Sequence, residues 1–129
     1  MLIAGMIIAV LAALLHVFIF YLEAFAWEGE QARELFKTGS VEDAKLTKFN
    51  AYNQGFYNLF LAIIALVGVI AWFSNSHVVG LSLAFAGTGS MLAAALVLFV
   101  SSAPHRTAAM KQGALPLLAI ILLIVGALV

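Results

Sequence analysis

Residues 11–27 read LAALLHVFIFYLEAFAW. The run is apolar enough for lipid, yet it carries His16 and Glu23. On a helix, His16, Phe20, Glu23 and Trp27 fall at i, i+4, i+7 and i+11, which is one face. An ionisable side chain inside a membrane helix is costly unless it faces protein or water, so such a residue marks a functional-site candidate. This stretch decides the fold class. It predicts a membrane-spanning helix with a polar stripe turned inward.

Composition extends that reading to the whole chain. Of 129 residues, 65% are hydrophobic and 9% charged, well below the ~25% charge of soluble domains. Mean hydropathy is +1.14. The expected fold is all-α, a single domain of four transmembrane helices with a short helical loop after the first. Formal net charge is zero, which leaves no basic field for nucleic acid. Cys is absent, which removes disulfides, thiolate nucleophiles and Cys-based metal sites. The N-terminal run has no basic n-region and outlasts the ~7–15 residues of a signal-peptide core, so it reads as a retained span.

The spans are expected at about 2–27, 49–73, 78–102 and 113–129. In the first, Gly5, Ala9 and Ala13 form a small-residue stripe suited to close packing. Trp27 sits where an interfacial aromatic is expected. The polar segment 28–50 holds a charged helix ending at Gly39. Ser40-x-x-Asp43 then resembles a capping box that opens a second short helix at Val41. The third span has two small-residue sets, Gly80, Ala84, Gly87 and Ala86, Ser90, Ala94. Pro104 ends it, and Pro116 is placed in the first turn of the last span.

The second span opens as FNAYNQGFYNLFLA, residues 49–62. Asn50, Asn53, Gln54 and Tyr57 share one face by spacing, and Asn58 follows Gln54 by four. Amides in hydrocarbon need partners, so this face is expected to point into the bundle. Lys and Arg fix the orientation. Four lie after the first span and two after the third, with none on the opposite side. The positive-inside rule puts both charged loops in the cytoplasm and both termini outside.

By depth, Glu23, Asn53 and Gln54 lie at one level, Tyr57 and Asn58 deeper towards His16, and Gln112 at the rim. The expected ligand-binding set is therefore His16, Glu23, Trp27, Asn53, Gln54, Tyr57, Asn58 and Gln112, opening towards the cytoplasmic leaflet. Glu23, His16 and Tyr57 are its candidates for acid–base chemistry. The three His are scattered, with no helical i, i+4 pair, so no metal site is expected. No phosphate loop, nucleophile elbow or haem motif occurs, and no cofactor is named. His77 and His105 receive no role.

HVFIFYLEAFAWE in the first span, NAYNQGFYNLFLA in the second and KQGALP opening the fourth resemble the small bacterial membrane proteins grouped as domain of unknown function 1304. The resemblance covers nearly the whole chain, and the Asn-Gln-Gly-x-Tyr-Asn block is its most specific piece. It implies a four-helix protein of a bacterial inner membrane and transfers no biochemical function. Its motifs mark His16, Glu23, Trp27, Glu28, Asn53, Gln54, Gly55, Tyr57, Asn58, Gln112, Gly113 and Pro116.

Three functions compete. The first is a pocket that binds or alters a small lipophilic or amphiphilic molecule. The second is a proton-coupled exporter similar to the small multidrug resistance transporters, which also use a first-helix glutamate. The one-sided charge and the amide-rich second span count against it. The third is a non-catalytic membrane subunit, with the polar residues as interhelical glue. The bilayer is the common partner, and the small-residue stripes are compatible with a homodimer.

Overall fold

A computed structural model describes residues 1–129. It contains α1 (Leu2–Ala24), α2 (Glu30–Phe36), α3 (Val41–Phe73), α4 (His77–Ser101), a 3-10 turn (Ala103–His105) and α5 (Arg106–Leu128). α1, α3, α4 and α5 are each long and apolar enough to cross a membrane. The chain is an all-α, integral membrane four-helix bundle. α1 packs on α3 and α5, and α4 packs on the same two, so the spanning helices form a ring in which the α1–α4 diagonal adds little.

Lipid is as apolar as Leu, so burial does not drive these helices together, and close van der Waals packing must. The interior is accordingly made of small side chains. Ala12, Ala13, Ala62 and Ala65 enclose Met91, and Ala9, Ala84 and Ala119 surround Met6 and Leu123. The tightest seam joins α3 to α4. Gly87 lies on Ala65, where a Cβ would come within 2.7 Å of backbone, and Gly68 lies directly on the backbone of Gly80 and Ala84. Of the two sets expected on α4, Gly80, Ala84 and Gly87 are buried in this seam. Ala86, Ser90 and Ala94 are exposed on another side of the helix.

Four expectations about boundaries change. α1 stops at Ala24 rather than Trp27, and Trp27 lies in the turn that follows. Hydropathy cannot separate an interfacial Trp from a spanning one. Here the indole Nε1 donates to Thr47 Oγ1 at 3.0 Å and its ring packs on Phe36 at 5.3 Å, which holds it off the helix.

α2 ends one step before Lys37, which takes the left-handed conformation at φ 55°. Gly39, at φ 88°, instead turns the chain into Ser40. The Ser40–Asp43 capping box is present, but the helix it opens does not break before the membrane. It continues to Phe73 as one helix of 33 residues, about 50 Å long. That exceeds the ~30 Å hydrocarbon layer, so its first turns project into the charged-loop region.

α5 begins at Arg106, which places Pro116 inside the helix instead of in its first turn. The 3-10 turn with Pro104 provides an earlier start than charge alone indicates. Because proline has no N–H, the carbonyl of Gln112 loses its i+4 donor.

Candidate functional site

Towards the charged loops the alanine interior gives way to a polar cavity of about 520 Å³. Every spanning helix contributes to it. Glu23 comes from α1, Gln54 and Asn58 from α3, Ala94 and Leu98 from α4, and Gln112 from α5. Trp27, Thr47, His105 and the Phe36–Thr38 segment close over it from the loop side.

Glu23 is the chemical centre. Only 7% of it is exposed. Its Oε2 accepts a hydrogen bond of 2.7 Å from Asn58 Nδ2, and no Lys or Arg reaches it. Lys48 is paired instead with Glu28, and Arg106 lies over the Phe99 ring at 5.1 Å. The carboxyl can therefore offer acceptor capacity to a ligand without displacing a bound cation. Gly55 sets the approach of the two helices here. A Cβ on it would meet Glu23 Cβ and the Phe20 carbonyl at 3.1 Å.

That contact explains which face of α3 enters the bundle. Residues on a helix advance ~100° each, so Asn53 and Tyr57 stand ~200° from Gly55, while Gln54 and Asn58 stand ~100° and ~60° from it, both to the same side. Asn53 and Tyr57 accordingly face outward, Tyr57 with 56% of its surface exposed. The expectation that the Asn50, Asn53, Gln54 and Tyr57 face would point inward is corrected: backbone approach at a glycine, rather than side-chain polarity, chose the packed face. Of that face, only Gln54 lines the cavity.

His16 is buried, and its Nδ1 donates to the Ala12 carbonyl at 2.9 Å. It lies seven residues, about 10 Å, below Glu23 along α1 and does not line the cavity. Of the expected set, then, Glu23, Trp27, Gln54, Asn58 and Gln112 converge, while His16, Asn53 and Tyr57 lie elsewhere. The described residues hold no cluster of three His, Cys, Asp or Glu side chains that could take a metal ion.

The lining residues missed by sequence reasoning are Ala94 and Leu98 on α4 and the roof apart from Trp27. His105 Nε2 donates to the Phe36 carbonyl at 2.8 Å, and its Nδ1 lies 2.6 Å from Ser102 Oγ. It thereby ties α2 to the α4–α5 connection. Thr38 Oγ1 is buried without a hydrogen-bond partner beside the cavity. A Ser-x-x-His spacing around Pro104 was the only signal for His105. Nothing in the sequence distinguished Thr38.

A profile described as "Protein of unknown function (DUF1304)" matches residues 10–124. The chain belongs to the DUF1304 family. The matched region takes in α1 from Val10 to its end, the α2 roof, α3, α4 and most of α5, so the whole cavity falls within the DUF1304 domain. No curated protein and no solved structure matches the chain.

Proposed function

We propose that the protein binds a small amphiphilic or lipophilic molecule in the Glu23 cavity, with the polar part of the ligand donating hydrogen bonds to the Glu23 carboxyl. One observation carries this reading. A carboxyl group 7% exposed, held by a single amide, faces open space lined from all four spanning helices. A residue that served only as interhelical glue would need no such space. The volume falls within the ~300–1,000 Å³ of small-molecule sites. Gln54, Asn58 and Gln112 supply neutral hydrogen-bonding groups around the carboxyl, and Trp27, Phe36 and Leu98 supply apolar wall.

The same proposal places the cavity at the cytoplasmic leaflet of a bacterial inner membrane. All six Lys and Arg lie at the cavity end, and the positive-inside rule makes that end cytoplasmic. Both termini are then outside.

A second reading, a subunit that docks on another membrane protein or a second copy, has one observation in its favour. Asn53 and Tyr57 turn polar groups away from the bundle. Cross-linking from Asn53→Cys would capture that partner.

Native mass spectrometry of the full chain in mild detergent tests the pocket. The expected result is a discrete non-lipid adduct on the wild type that Glu23→Gln loses while remaining folded. Spectra that show no non-lipid adduct on either protein would overturn the reading.

A further inference from the structure

A second cavity, of about 630 Å³, lies beside the first between α1, α2 and α5, with Phe36, Lys37 and Gln112 forming the wall between them. Its floor and its rim differ in chemistry. Leu15, Phe18 and Ile19 of α1 make an apolar floor, and Phe18 reaches the outer, lipid-facing surface with 40% exposure. The rim carries Lys37 and Lys111, with Glu34 as the one acidic group. The Lys37 and Lys111 ammonium groups make no ion pair and no hydrogen bond, whereas those of Lys45 and Lys48 are each paired with a glutamate. Two unpaired ammonium groups above an apolar wall that opens to lipid match an anion carrying a hydrocarbon tail.

We infer that this groove binds the phosphate headgroup of an anionic phospholipid between Lys37 and Lys111, with an acyl chain lying on Leu15 and Phe18. The site is separate from the Glu23 cavity, and it stands whether or not that cavity holds a ligand. Glu34 leaves the rim with one net positive charge, so it favours a phosphodiester monoanion over a more highly charged group. Lys37 is held at this place by the left-handed end of α2, at the boundary of both cavities. A lipid bound there would contact the segment that roofs the Glu23 cavity.

The test is lipid retention by the full chain in mild detergent, titrated with phosphatidylglycerol or phosphatidylcholine and read by native mass spectrometry. Wild type is expected to retain one phosphatidylglycerol in preference to phosphatidylcholine. At roughly tenfold per 1.4 kcal/mol and about 1 kcal/mol per lysine, Lys37→Gln with Lys111→Gln should weaken phosphatidylglycerol retention about 30-fold. Lys45→Gln with Lys48→Gln removes the same charge elsewhere and should leave the preference intact.

Equal retention of the two lipids by wild type would overturn the inference. So would loss of the preference in both double variants, which would assign it to diffuse charge. Competition by glycerol phosphate as effective as that by phosphatidylglycerol would assign the groove to a soluble phosphate and overturn the lipid.

Discussion

At the Asn75 end of the bundle, α3 and α4 touch backbone to backbone through Gly68, Gly80 and Gly87. At the charged-loop end, the same two helices flank about 520 Å³ of open space. One end has no room for a methyl group, and the other keeps a carboxyl group beside a cavity. The contrast divides labour within 129 residues. Backbone contact at the closed end holds the helices together and frees the open end from packing, so polar side chains can stand there around a cavity. In a membrane this division matters more than in water, because helices gain little by burying apolar surface and must obtain cohesion from fit.

Breaking the closed end should have the largest effect. Gly68→Val puts atoms into the backbone of Gly80 and Ala84, which cannot turn aside as a flexible side chain can. The expected loss is about 3 kcal/mol of unfolding free energy, with α3 and α4 separating. Steric trapping or detergent-denaturant unfolding measures it. A wild-type unfolding curve would show that the seam is looser than its geometry.

The open end should be more tolerant. Asn58→Ala removes the one donor to a buried carboxyl and should cost about 2 kcal/mol. Glu23→Gln keeps an amide oxygen that can accept from Asn58 and should unfold close to wild type. If the two variants were equally destabilised in the same unfolding assay, the carboxyl would be serving cohesion.

A smaller and local effect is expected at the roof. His105→Ala releases the Phe36 carbonyl and the link to Ser102. Hydrogen exchange should quicken over residues 30–38 while the spanning helices keep their protection, since a loop segment opens without the core. Uniform change along the chain would contradict the division between roof and bundle.

The smallest effect concerns the surface pair. The Lys48 ammonium, hydrogen-bonded at 2.5 Å, holds the Glu28 carboxyl below the usual carboxylate range, with further attraction from Lys45. A carboxyl with a depressed folded pKa stabilises above its ordinary value, and that contribution fades as pH falls through the lowered one. Lys48→Gln should therefore move the Glu28 titration up in an NMR experiment. An unmoved midpoint would mean that the turn after α1 is not held to α3 by this pair.

Much of this architecture is written in the amino-acid pattern, and the reason is physical. Hydropathy and length locate segments that must lie in lipid, so the four long apolar helices were legible from them. Ser40 and Asp43 announced the start of α3 because a capping box is a local interaction. Where tertiary contact decides, the pattern fell short. Trp27 leaves the helix because Thr47 and Phe36 hold it, and both are distant in sequence.

The same holds at the site. Glu23 was conspicuous because a carboxyl in an apolar run has few explanations. The inward face of α3 was misread because periodicity groups polar residues without saying which face a neighbour approaches. Gly55 decides that, and its importance appears only when α1 lies against it. His105 needed the fold to bring it to Phe36, 69 residues away.

The most direct test of the open and closed ends uses the absence of native cysteine. Ala94→Cys places a thiol in the cavity wall, and Thr88→Cys places one on the same helix in the fully buried interior. A charged, membrane-impermeant thiol reagent applied from the charged-loop side should modify the first and spare the second. Equal reactivity at both positions, or reaction at Ala94→Cys only from the opposite side, would contradict a solvent-reachable cavity at one end of a closed bundle.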